Sequence, residues 1–216
     1  STTIVGNQLS GISAKSITMH DNITEIAGSA FEGCLNLESV TIPNRVLRIS
    51  DNTFLDCKAL RSIVIGKRVT SIGGGAFYGC VALSEVEIPN SVITIEGQAF
   101  YGCISLTTVD IPNSVTSIGG SAFSGCTRLS DLTIGNGVAT IGSNAFTGCY
   151  SLTEVVIPEG VTYIGSYAFN NCVNLTSVTI PTTLSEVGSC AFSTNGEISD
   201  IYISDLSAWC RIAFSD

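Results

Sequence analysis

The stretch "SIGGSAFSGC" at 117–126 returns along the chain with small changes, as "SIGGGAFYGC" at 71–80, "TIGSNAFTGC" at 140–149 and "YIGSYAFNNC" at 163–172. The phenylalanines at its centre, Phe31, Phe54, Phe77, Phe100, Phe123, Phe146, Phe169 and Phe192, stand 23 residues apart. Seven of the nine cysteines, Cys34, Cys57, Cys80, Cys103, Cys126, Cys149 and Cys172, keep the same step. All five prolines, Pro43, Pro89, Pro112, Pro158 and Pro181, share one phase. Three residue types locked to one period define a repeat, and a period of about 20–50 residues is the mark of a solenoid or an array.

One coil, written from Leu152, runs Leu152-Thr-Glu-Val155-Val-Ile157-Pro158, then Val161-Thr-Tyr-Ile164-Gly, then Ala168-Phe169-Asn-Asn-Cys172. The L-x-x-V-x-I piece is short, β-branched and closed by a proline, so it predicts a strand. Proline lacks the N–H a ladder needs, so it ends the pairing; Gly66 and Gly135 take its place in two coils. V-T-x-I-G predicts a second, short extended piece. A-F-x-G-C is too short for a stable helix and predicts a turn or a single helical turn. Each coil has only a thin apolar stripe, which must be covered by the next coil, so the phenylalanine and cysteine columns are expected to be core.

Eight coils span 14–197, a degenerate closing coil spans 198–216, and 1–13 reads as an N-terminal cap or the remnant of an upstream coil. No linker divides them, so a single domain is expected. The fold class predicted is an α/β-type repeat solenoid, mostly β. One continuous parallel sheet would line one face, with extended pieces and turns on the other. Strands stack about 4.8 Å apart, so nine coils would make a rod or shallow arc roughly 40 Å long.

At these residues the chain resembles the BspA-like (Treponema-type) leucine-rich repeats, whose unit runs LxxVxIPxxVTxIGxxAFxGCxx. The resemblance covers roughly 14–216, and the ending "DLSAWC" with "IAF" is similar to the closing coil of such proteins. It implies a curved solenoid, a secreted or cell-surface location in host-associated microbes, and adhesion to host matrix proteins or to other microbes. It carries over no catalytic residues.

Composition narrows the function classes. A net charge of −9 would repel nucleic acid, and no window has the 18 or so apolar residues of a membrane helix. The start, "STTIVGNQLSG", lacks a basic n-region and an initiator Met, as expected of a processed or trimmed chain, and the end falls inside the closing coil. No metal, cofactor or catalysis is expected. His20 is the single histidine and sits at the proline position of its coil, where a turn role is expected. "SIGGG" lacks the Lys-Ser/Thr ending of a phosphate loop. The in-phase cysteines read as buried free thiols. Cys190 and Cys210 leave the phase, and for them alone a bridge is weighed against free thiols.

The third and fifth positions of L-x-x-V-x-I should face outward, because strand side chains alternate. They place Glu85, Glu87, Thr108, Asp110, Asp131, Thr133 and Glu154 on one face, five of them carboxylates on four successive coils, with no base beside them. The functional reading is a binding strip for a basic protein; the plain one is a wetted surface that keeps the sheet soluble. Six of nine basic residues fall between Arg45 and Arg68, so weak end-to-end self-association is a further expectation, and a spacer without a dedicated ligand is the alternative role. An accessory carbohydrate-binding role would need exposed aromatics. The sheet face offers Tyr202, and Tyr78 with Tyr101 could pair elsewhere.

Overall fold

The computed structural model describes Thr3, Ile4, Gly6 and residues 8–215; Ser1, Thr2, Val5 and Asn7 of the N-terminal segment and Asp216 of the closing coil lie outside the described residues. Every coil contributes two parallel strands, so the chain winds as a solenoid with two ladders. The first ladder is the L-x-x-V-x-I series: Ser16–Ile17, Ser39–Thr41, Ser62–Val64, Glu85–Val86, Thr108–Ile111, Asp131–Ile134, Glu154–Val156, Ser177–Ile180 and Asp200–Ile203. The second is the T-x-I series: Arg48–Ile49, Ser71–Ile72, Thr94–Ile95, Ser117–Ile118, Thr140–Ile141, Tyr163–Ile164 and Glu186–Val187, closed by Ala213–Phe214.

The longest uninterrupted sheet is not the one the sequence leads one to expect. The two-residue strands of the second ladder form a single eight-stranded sheet, whereas the first ladder is broken into sheets of four, two and three strands. The expectation of one continuous sheet along the L-x-x-V-x-I face is therefore corrected, and the residues at the breaks supply the reason. Within the first ladder Ser39 faces Ser62 and Thr108 faces Asp131. Carried across the breaks, that 23-residue register sets Glu87 against Asp110 and Asp131 against Glu154. Like charges directly opposite destabilise pairing, and both gaps fall at such a pair.

The segment between Ile-Gly and Cys holds the coils together as firmly as the strands do. In the coil around Phe100, Gln98, Phe100 and Gly102 donate N–H bonds to Gly120, Ala122 and Ser124 of the next coil, at 2.9, 2.7 and 2.8 Å. The residues between them close turns inside the coil, as where Cys103 N–H donates to Phe100 O. This alternation needs two left-handed residues per coil. One column is mainly glycine, as at Gly125 (φ 73°), while the other is filled by Ser29, Asn52, Gln98, Ser121, Asn144, Tyr167 and Cys190 around Gly75. The glycine after Ile has another purpose. A Cβ on Gly142 would lie 2.6 Å from Gly120 N, so the previous coil's backbone occupies the space of a side chain.

Inside the solenoid, Phe31 through Phe169 have no exposed surface, and Phe192, the last, is partly buried. Neighbouring rings stack with centroids 5.1–5.5 Å apart, within the offset-stacked range. The seven in-phase cysteines are also fully buried. Each thiol from Cys57 to Cys172 donates to the carbonyl of the phenylalanine one coil earlier, from Cys57 Sγ to Phe31 O at 3.1 Å to Cys172 Sγ to Phe146 O at 3.3 Å.

The two ends are finished differently. Thr3–Ile4 pairs with Glu25–Ile26, and Cys34 Sγ donates to Leu9 O at 3.2 Å, so Leu9 stands where later coils have phenylalanine. At the other end Leu206–Trp209 is the one α-helix among the described residues, capped where Asp205 Oδ1 accepts from Ser207 and Ala208 N–H. Cys190 and Cys210 are free and exposed. Glu186 pairs with Ala213. Cys190 therefore follows its strand and Cys210 precedes its partner, which sets the two thiols at opposite ends of the pair.

Candidate functional site

The outward positions of the first ladder form one exposed face. Glu85, Glu87, Thr108, Asp110, Asp131, Thr133 and Glu154 are all exposed, while Val109, Val155 and Ile134 point into the core. A trough of about 930 Å³ runs across the middle strands, and Glu85, Glu87, Thr108, Asp110 and Thr133 line it. Asp131 and Glu154 lie outside its lining and form an acidic pair on the next two coils.

The trough walls come from residues the alternation rule does not mark. Pro89, Pro112, Asn90, Asn113 and Asn136, from the turns after the strands, form one rim, and Ser84 with Thr107 line the other side. Asn113 Oδ1 accepts Asn136 N–H at 2.8 Å, which ties that rim from coil to coil. The signal for it was the asparagine after proline, which recurs in phase at Asn44, Asn90 and Asn113.

Carboxylates on a stiff sheet offer acceptors to ammonium or guanidinium groups, and the face is not purely polar. Val64 (61% exposed) and Val156 (58%) stand in the same outward column as Glu87 and Asp110, one on either side of them. Among the described residues no group of three or more His, Cys, Asp or Glu is placed to hold a metal. His20 is exposed and serves its turn, its carbonyl accepting Ile23 N–H at 2.9 Å and its Nδ1 accepting Asn22 N–H at 3.3 Å. Burial pushes the Cys57 and Cys126 thiols up to about 12, leaving them inert as nucleophiles.

The aromatic residues divide. Tyr202 is 59% exposed in the last strand of the first ladder, whereas Tyr78 and Tyr101 stack on each other at 4.7 Å away from that face. No described helix is long and apolar enough to cross a membrane.

Comparison with known proteins agrees with this geometry. The family model described as the BspA type leucine rich repeat region matches in six copies, over residues 1–107 and 93–216. A leucine-rich repeat protein from Bacteroides ovatus superposes with a TM-score of 0.77 at 31% identity, over 88% of this chain and 50% of that one. A leucine rich cell surface protein from Faecalibacterium prausnitzii gives 0.60 at 29% identity, over 88% and 66%. The leucine-rich repeat protein of T. pallidum gives 0.65 at 31%, over 73% of each chain. The chain thus spans half the length of the Bacteroides protein. No curated protein matches it by sequence.

Proposed function

Because this chain belongs to the BspA-type leucine-rich repeat family, we propose that it is a non-enzymatic, protein-binding module of a secreted or cell-surface protein, and that it grips a basic partner in the trough of its first ladder. The observation that carries this reading is the trough itself: Glu85, Glu87 and Asp110 line a trough of about 930 Å³, together with an exposed Val64. Opposite charge steers a partner in and fixes its register, and the valines give it apolar surface to cover. The cell-surface relative from Faecalibacterium supports the location. Adhesion to host matrix or to other microbes is the role this binding would serve.

A pull-down of soluble matrix and bacterial surface proteins tests it, comparing the native chain with a variant carrying Ser at positions 85, 87, 110, 131 and 154. Capture lost by the variant, with its circular dichroism intact, supports the acidic face of the first ladder as the binding site. Equal capture by both moves any site off this face. No capture at all favours a structural spacer, a reading to which one observation lends weight. At the closing coil Ile201, Leu206 and Phe214 are each more than half exposed, an apolar end on which a second copy could stack.

A further inference from the structure

A second groove, of about 590 Å³, lies on the N-terminal coils of the second ladder, lined by Arg45, Leu47, Arg48 and Arg68 with Glu25 as its one carboxylate. Its arginines are not equivalent. Arg48 is fully engaged: it donates to both oxygens of Glu96 at 2.6 and 3.0 Å and to Asp51 Oδ1 at 2.8 Å. Arg45 and Arg68 are exposed and belong to no ion pair among the described residues. They are 23 residues apart and so hold the same position on adjacent coils, about one strand spacing of 4.8 Å from backbone to backbone. Two guanidinium groups brought together this way repel each other, and an oxyanion between them reverses the sign of that interaction. A carboxylate suits the planar fork of arginine, which binds it through two parallel hydrogen bonds.

What lies beside the arginines decides the rest of the ligand. Leu47 is 49% exposed, and two coils on, in the same position, Ile93 is 48% exposed with Thr70 between them. The two apolar side chains are therefore about 10 Å apart along the stack, roughly the span of one three-residue turn of polyproline-II chain, which sets residues three apart on the same side. We infer that this face takes an acidic protein segment, whose carboxylate enters between Arg45 and Arg68 and whose apolar side chains cover Leu47 and Ile93. A sulfated glycan would satisfy the arginines and leave the apolar residues bare. The site is separate from the acidic trough, on the other ladder and of opposite charge, so neither proposal depends on the other.

The test is fluorescence anisotropy with a fluorescein-labelled decapeptide of Asp and Leu, its leucines three residues apart, titrated with the full chain in low salt. Saturable binding is expected, weakened at least tenfold by R45Q/R68Q and several-fold by L47S/I93S, with both variants folded by circular dichroism. The variant carrying Ser at positions 85, 87, 110, 131 and 154 is expected to bind the peptide as the native chain does. No saturable binding by the native chain overturns the inference, and so does equal affinity for R45Q/R68Q. Equal affinity for a peptide with its leucines changed to serine removes the apolar half of it. Binding of a heparin fragment without binding of the peptide would assign the groove to a glycan instead.

Discussion

Alkaline pH should unfold this protein through its buried thiols. Cys57, Cys80, Cys103, Cys126, Cys149 and Cys172 have no exposed surface, and burial is the first cause of the upward shift in each. Cys172 rises to about 11, Cys57 and Cys126 to about 12, and the other three well above the ordinary value of 9.0. A raised native value means that the stabilisation is complete below 9.0 and is lost as the pH climbs from there toward the native values, because the unfolded chain sheds protons that the folded chain keeps. Each thiol then gives up about 1.4 kcal/mol between pH 8 and pH 10, and six give up about 8 kcal/mol. That is comparable with the whole stability of an ordinary domain, about 5–15 kcal/mol. Urea unfolding followed by circular dichroism at a series of pH values, under reducing conditions, measures the slope. The double variant C103S/C126S keeps a donor for the carbonyls of Phe77 and Phe100 while removing two ionising groups, so its loss from pH 8 to pH 10 should be smaller by about 2.7 kcal/mol. An identical slope for the variant would refute the reasoning. So would more than two thiols, those of Cys190 and Cys210, reacting with Ellman's reagent in the folded chain.

Three further outcomes follow from the coil geometry. Gln98 sits at φ 59° and is exposed, so Gln98→Gly should stabilise the chain by about 1 kcal/mol, read as a higher urea midpoint. Gly142→Ala forces a Cβ against the backbone of the previous coil and should cost about 1–3 kcal/mol in the same assay. Glu154→Thr removes the like charge facing Asp131 and should stabilise by about 0.5 kcal/mol. Amide exchange at Asp131–Ile134 should also slow as that gap in the first ladder closes.

The first ladder was legible because L-x-x-V-x-I has enough residues to alternate, and the outward placement of Glu85, Glu87, Asp110, Asp131 and Glu154 follows directly from that alternation. Its breaks were not read, although they follow from the 23-residue register once acids are compared between coils rather than along one strand. The second ladder was undervalued for the opposite reason. Two-residue strands such as Thr94–Ile95 carry almost no local pattern, and only the stacking of eight of them makes a sheet. Turn glycines such as Gly125 announce a left-handed residue, but Gln98, Tyr167 and Cys190 adopt the same conformation and announce nothing. Inter-coil hydrogen bonds impose it on them. The groove at Arg45 and Arg68 was visible only as a run of basic residues, because adjacency between coils, not within the sequence, brings its walls together.

The register of Phe, Cys and left-handed columns also governs how such a chain can change over generations. Since every column repeats at 23 residues, excising 106–128 would join Ser105 to Leu129 with each column intact. The molecule would shorten by one spacing of about 4.8 Å without inventing any new packing. The same excision would remove Asp110 and bring Glu87 opposite Thr133, but it would set Glu85 opposite Asp131, so the like-charge pair would move along the strand while part of the charge was lost. Gain or loss of whole coils thus edits reach and surface in a single recombination, while a loss of any other length would throw every column out of step.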